Sequence, residues 1–461
     1  MRYYWLTALF FLTAVPRPLA NSTSPLVLWE GMRIRHTWNT VPANWESLGR
    51  PHAGTTINLY ISLKSDQENA LTDALYEVSD PKRPRNVLLT TPLSTSYSRV
   101  PLLYRYGKHL SREQTAELVR PHPETLELVR AWLFYHGVPP SSISLTHGGG
   151  WLTITDVLVS QANQLLDASY QFYQHGKTNE IIIRTVGYSL PEVLHTHIKA
   201  VAPTTYFSSM REMRETPRRR SFEGTAEQAD AESGMLVTVP SNRDGDSEVT
   251  PSYLHWLYNT LAYTPTAMDR NAIGVMGLLG QYPSQGDLAK FMADFCNDAE
   301  DATFTVVQLN NGGYDEREPD AEANLGVQYA TAIAHPTPIF FYSLGGDLRW
   351  SPTDNSIPIS GDPYLEWFGY LFREPKLPQT ISIPYGSYEK KLPQEYAEAL
   401  CGLFTILGTQ GVSVLCSSGN QGVGPENCDD GFGNIRFVPE FPQSCTCDIF
   451  SLLISTTQAQ G

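Results

Sequence analysis

Glu322-Ala-Asn-Leu-Gly-Val-Gln-Tyr-Ala-Thr-Ala-Ile-Ala-His-Pro-Thr-Pro-Ile-Phe-Phe-Tyr-Ser-Leu-Gly-Gly346 is the stretch whose reading decides the fold. Leu325, Tyr329 and Ala332 recur at helical spacing. Pro336 and Pro338 stop that helix, because proline has no N–H to donate and its ring clashes with the preceding turn. Ile339 to Tyr342 then reads as a buried strand. The stretch holds one carboxylate, Glu322, at the start of the helix. Position 326 lies one turn later on the same face and is glycine.

Outward from this stretch, strand and helix keep alternating. Ala272 to Leu279 and Phe304 to Leu309 read as strands, with Leu288 to Phe295 helical between them. Asp362 caps a helix that has Pro363 in its first turn and Leu365, Phe368, Leu371 and Phe372 on its core face. Thr380 to Ile383 is a strand, Pro393 opens a helix that ends near Gly408, and Val412 to Cys416 is a strand. This alternation predicts a parallel, doubly wound α/β sheet over residues 250–461.

The first half of the chain reads differently. Residues 21–54 are polar and aromatic, with little periodicity. Ile57, Leu59, Ile61 and Leu63 alternate as in a half-buried strand, and Ala70 to Val78 is a short helix. Ser111 and Gln114 form a capping box. Leu126, Val129 and Leu133 lie on one face of a further helix that stops at Gly137. Trp151 to Ile154 and Ile181 to Val186 are strands on either side of a helical face of Val159, Ala162, Leu165 and Leu166. Short helices among strands predict an antiparallel α+β sandwich of the ferredoxin-like kind over residues 21–207. Residues 86–105 follow neither period. Residues 208–249 are polar and charged and form a linker, in which Arg218, Arg219 and Arg220 are either a solvated basic run or a processing site.

The sequence has 461 residues, 41% of them hydrophobic, and a net charge of −15. That length allows two or three domains, and the acidic balance argues against nucleic acid, which calls for a basic face. Arg2, the apolar run Tyr3 to Val15, and Pro16 to Ala20 read as a signal peptide over residues 1–20. No later stretch is long and apolar enough to span a membrane. A secreted, extracellular protein follows. All six cysteines, 296, 401, 416, 428, 445 and 447, lie in the second half, and an even count in a secreted chain favours disulfides. Cys416 reads as a buried thiol in an apolar strand. The Cys428, Cys445 and Cys447 spacings lack the histidine and the paired pattern of a zinc site.

The 322–346 stretch resembles the catalytic helix of the sedolisins, the serine-carboxyl peptidases, and most of all that of their secreted fungal tripeptidyl peptidases. The resemblance runs from about residue 26 to residue 445. It includes Ser79-Asp-Pro81 and Tyr106-Gly-Lys-His-Leu-Ser111, which the family keeps close together. Here about twenty extra residues separate them, so residues 86–105 are either translated intron or a surface loop. The resemblance implies a subtilisin-like sheet, incomplete here, behind an activation domain that acts as an intramolecular inhibitor. The implied reaction is release of N-terminal tripeptides from peptide or unfolded protein at acid pH.

In that family a Glu and an Asp share the helix at i and i+4, the Glu as general base and the Asp as its orienter. Glu322 matches the base, and Gly326 stands where the Asp belongs. Losing the orienting carboxylate costs on the order of 10⁴ in turnover in a related hydrolase architecture. Asp320 lies on another side of a continuous helix and does not replace it. Ser417-Ser-Gly-Asn420 matches a Ser-Ser-Gly-Asp turn, so Asn420 takes the oxyanion position, where an amide donates without needing a proton. The other reading of that turn is a glycine-rich loop with a left-handed asparagine. Ile381-Ser-Ile-Pro-Tyr-Gly386 resembles a strand edge lining the substrate cleft. With Ser418 and Gly419, Tyr385 and Gly386 are its cleft residues, and Trp367 is either a cleft or a core residue. Cys428 and Cys445 are the disulfide candidates.

The family's nucleophile, in a Ser-Gly-Thr-Ser segment, and the calcium loop after it have no counterpart here. Calcium is therefore expected for the family but not for these residues, since Asp429 and Asp430 alone fall short of the six or more oxygens calcium wants. Past Cys445 the resemblance stops. The expectation is a peptidase by descent that does not catalyse as written. The alternatives are a non-catalytic peptide-binding or inhibitory homologue, and the product of a faulty gene model.

Overall fold

The structure is a computed structural model. It describes residues 29–67, 69–81, 106–176, 180–207, 249–296, 299–345, 362–417 and 437–445. The proposed signal peptide, residues 86–105, Arg218 to Arg220, Ser418 to Asn420, Cys428 and residues 446–461 lie outside the described residues.

The N-terminal unit runs β1 (Met32–Thr37), β2 (Trp45–Gly49), β3 (Thr56–Leu63), α1 (Ala70–Ser79), α2 (Arg112–Val119), α3 (Pro123–Tyr135), β4 (Ile143–Leu145), β5 (Trp151–Leu158), α4 (Val159–Leu166), β6 (Gln171–His175), β7 (Ile181–Arg184), β8 (Gly187–Pro191) and β9 (Ile198–Ala202). Its main sheet has the order β4-β5-β3-β9, antiparallel throughout. Without β6 to β8, the path is β-α-β-β-α-β in the ferredoxin-like order. The remaining strands pair off as β2-β6-β7 and β1-β8. β1 and β2 fall in the stretch that shows no period in the sequence, because both are mostly exposed and only Trp45 is buried.

Ile57, Leu59, Ile61 and Leu63 face the core under α3 and α4, with Trp132, Leu133 and Leu165. The expected half-burial does not hold. Tyr60 and Ser62 on the opposite face are buried as well, because that face is covered by the second unit and not by water. Ser111 caps α2 as a complete capping box.

The second unit contains α5 (Pro251–Leu257), β10 (Ile273–Gly277), α6 (Gln285–Phe295), β11 (Phe304–Leu309), α7 (Ala321–Ala334), β12 (Ile339–Leu344), α8 (Pro363–Leu371), β13 (Thr380–Ile383), β14 (Ser387–Tyr388), α9 (Gln394–Thr409), β15 (Ser413–Cys416) and β16 (Glu440–Phe441). Among the described residues, five strands form one parallel sheet in the order β11-β12-β10-β13-β15. Val275 and Phe341 face α6 and α7, while their neighbours Met276 and Tyr342 face α8 and α9. Helices thus cover both faces, which is why the strands read as continuous apolar runs.

The two units share one core. Tyr60, Leu75, Trp151, Ala200, Ala202 and Tyr206 of the first pack into the cluster built on α8, α9 and the sheet. Tyr206 stacks on Tyr396 with ring centroids 4.8 Å apart. Tyr60 Oη and Asn58 Nδ2 donate to Glu366 Oε1 on α8. Arg112 Nη2 donates to the carbonyls of Leu371 and Glu374 at the end of α8.

Candidate active site

In an open parallel sheet, the chains leaving the carboxyl ends of the strands build the site. Here those are the segments after β10, β11, β12, β13 and β15. α7 begins at the same edge. Asp320 is its N-cap, and its Oδ1 accepts from Glu322 N at 3.1 Å, so Asp320 serves the helix terminus. Asp320 N donates to Tyr282 O at 2.8 Å. Ser284 N donates to Asn324 Oδ1, and Asn324 Nδ2 donates to Asp287 Oδ2, both at 2.9 Å. The first turn of α7 is therefore stapled to the segment that follows β10. Glu322 is half-buried on that turn, where a carboxylate is favoured by the helix dipole.

One turn on, Gly326 faces the sheet: a Cβ there would stand 3.3 Å from Val275 Cγ1. A side chain at 326 would share the sheet-facing flank of α7. The wild-type chain puts no side-chain group there.

Tyr385 Oη donates to Gln281 Oε1 at 2.6 Å, both residues buried. The segment after β13 is thereby tied to the one after β10, next to Tyr282 and the α7 staple. Ser417 N donates to Ile383 O at 3.1 Å, so the chain at Ser417, just past β15, is still held to the end of β13. At the other end, the backbones after β11 and β12 touch: a Cβ on Gly312 would stand 2.0 Å from Ser343 O.

Two expectations change. The 381–386 segment is not a sheet edge: β13 pairs with β10 on one side and β15 on the other. Tyr385 and Gly386 are buried, because Ser387 continues as β14 and pairs antiparallel with β16. Cys445 bonds Cys401 of α9, not Cys428, with Cα atoms 5.5 Å apart. That bridge holds the β16 segment down over the start of β14. Trp367 is fully buried in the core cluster, and Cys416 is a buried thiol.

Sequence reasoning missed the acidic centre of the seam. Asp362 caps α8 and is fully buried, accepting from Leu365 N and from Tyr396 Oη. Burial pushes its pKa upward, against the opposing pull of the Tyr396 hydrogen bond. The Asp362-Pro363 signal foretells the cap and not its burial. Burial likewise raises the Glu440 pKa, to about 7.

Among the described residues, no group of three or more His, Cys, Asp or Glu side chains could hold a metal ion. Among the described residues, no helix is long and apolar enough to cross a membrane.

Residues 98–207 match the Pro-kumamolisin activation domain. The chain is 31% identical over 430 residues to tripeptidyl-peptidase SED2 of Arthroderma otae, covering 90% of this chain and 66% of that protein. It is 32% identical over 414 residues to a probable tripeptidyl-peptidase SED2 of Trichophyton verrucosum, covering 88% and 64%. It is 29% identical over 443 residues to a probable tripeptidyl-peptidase SED3 of the same organism, covering 92% and 68%. This chain thus spans about two thirds of the length of these relatives. A solved Pseudomonas sedolisin (serine-carboxyl proteinase), complexed with two molecules of pseudo-iodotyrostatin, aligns with 43% of this chain and 51% of its own at 17% identity. Its TM-score of 0.30 is too low to bear on the fold.

Proposed function

The chain belongs to the sedolisin family, and from that premise we propose that it is a secreted, zymogen-form serine-type peptidase whose ligand is peptide or unfolded protein. The ancestral reaction is release of N-terminal tripeptides at acid pH, and turnover by this sequence is suppressed. The parallel sheet is the subtilisin-like core, Glu322 is the general base, and Asn420 occupies the oxyanion position. The N-terminal unit is the intramolecular inhibitor.

One observation carries the reading: Glu322 stands on the first turn of α7 at the carboxyl edge of the sheet, while Gly326, one turn below, faces Val275. Glycine at 326 offers no carboxylate one turn from Glu322, and proton transfer depends on how a base is aligned. The Gly326 substitution also favours the second reading, a non-catalytic homologue that still binds peptide.

The test is hydrolysis of a tripeptidyl chromogenic substrate across acid to neutral pH, by the full chain and by an active relative, with peptide binding measured by fluorescence anisotropy. The expected outcome is peptide binding with turnover at least about 10⁴-fold below the relative's. Turnover matching the relative's would overturn the role given to Gly326. Absence of binding at every pH would overturn the peptide reading itself.

A further inference from the structure

A cavity of about 130 Å³ lies in the seam between the two units, away from the carboxyl edge of the parallel sheet. The N-terminal unit walls it with Ser62, Lys64, Trp151 and Lys199, and α2 adds Arg112 and Thr115. The opposite wall is the neutral flank of α9, including Gly402, Leu403 and Ile406.

The basic side chains are there because of strand register. Ser62 pairs with Trp151 on one side and Ala200 on the other, so all three share the seam face. Lys64, two residues beyond Ser62, falls on that face by the period of two. Lys199 comes by another route. Ser62 pairs with Ala200 and Leu63 with Ile198, leaving Lys199 as the extra residue of a β-bulge. A bulge re-aims a side chain that regular pleating would send to the other face.

These groups are not neutralised within the fold. Among the described residues, neither Lys64 nor Lys199 makes an ion pair or side-chain hydrogen bond. The same holds for Ser62 Oγ and Trp151 Nε1, on side chains more than nine-tenths buried. Arg112 spends Nη2 on two main-chain carbonyls, which carry no formal charge. His147 joins the lining, and no carboxylate does. Glu113, fully exposed, interacts with His147 and Arg112 from outside, and Asp66 is exposed in the turn after Lys64.

We propose that this cavity binds a small oxyanion of the phosphate or sulfate class, which fastens the N-terminal unit to α8 and α9. Cations gathered in a partly dehydrated space repel one another far more strongly than in water. A doubly charged oxyanion removes that repulsion and accepts from ammonium, hydroxyl and indole donors at once. The site is independent of peptide turnover, since it shares no residue with the α7 edge.

Thermal unfolding of the full chain tests this at fixed ionic strength, with inorganic phosphate or sulfate replacing chloride, and phosphate binding is read in parallel by ³¹P line broadening. The expected result is a saturable rise in Tm. Lys64→Gln and Lys199→Gln each raise the half-saturating phosphate concentration about tenfold, the effect of losing one charged hydrogen bond. Lys290→Gln, on the outer surface of α6, leaves it unchanged. Without phosphate or sulfate, Lys199→Gln is at least as stable as wild type, since it removes a like charge. An unsaturating rise, the same curve for Lys199→Gln and wild type, or a loss of stability in Lys199→Gln without oxyanion would overturn the proposal.

Discussion

Substitution at Gly326 probes which way the site face of α7 points. A Cβ there stands 3.3 Å from Val275 Cγ1, and Val275 is 1% exposed. Alanine removes the helix-interior penalty of glycine, about 1 kcal/mol, and buries a methyl worth about 0.8 kcal/mol. The close contact cancels part of this, because Val275 must yield by a few tenths of an ångström in a packed interior. Gly326→Ala is therefore expected to raise stability by about 1 kcal/mol. Gly326→Asp places a carboxylate against the same valine, one turn from Glu322. An unpaired polar group held from water costs about 1–3 kcal/mol, so the aspartate variant should be about 2 kcal/mol less stable than the alanine variant near neutral pH. Both burial and a like charge raise a carboxylate pKa in the fold. The deficit should be small below the unfolded value of about 3.9 and grow as pH rises through the folded value. Urea denaturation of the two variants at about pH 3 and near neutrality measures the gap. An aspartate variant as stable as the alanine variant near neutrality would place position 326 in water and refute the packing argument.

Three further outcomes are expected. Glu440 has its folded pKa raised from 4.5 to about 7. The stability it lends is complete below 4.5 and is lost as pH rises to about 7, so Glu440→Gln should flatten the fall in Tm over that window; an unchanged pH profile would count against its burial. Cys401→Ser removes a bridge of sequence separation 44, worth about 4 kcal/mol by the loop-closure relation, and non-reducing peptide mapping should find Cys401 and Cys445 on one disulfide-linked pair. Tyr60→Phe deletes the donor to Glu366 across the seam and should cost about 1.5–3 kcal/mol, the range for a hydrogen bond to a charged group; a Tm unchanged from wild type would mean that the bond adds nothing to the seam.

What was legible in the sequence was local. Proline at 336, the Asp362-Pro363 cap and the Ser111–Gln114 box act within a turn, and each stands where its chemistry puts it. The α7 edge was legible because Glu322 and Gly326 sit on one helix. What depended on distant partners was hidden. Tyr60 and Ser62 look like the wet face of a strand until α9 covers them, and Tyr385 looks exposed until β16, more than fifty residues on, pairs beside it. Six cysteines allow fifteen pairings, and only the approach of α9 to the β16 segment selects Cys401 for Cys445. The bulge at Lys199 leaves no mark in composition, since one extra residue changes the pleat and not the pattern around it.

The core shared across the seam has a consequence for the fate of a nicked chain. α9 lies between β9 and α1 on one side and β15 on the other, so neither unit can leave without stripping apolar surface from the same helix. A single cut anywhere between residues 207 and 249 severs the polypeptide but none of that contact. The two fragments should co-elute on gel filtration long after a denaturing gel reports them separate. Escape of one unit from the other, and not scission, would then set how long the two stay together, and the amides of α9 would be among the last to exchange with solvent.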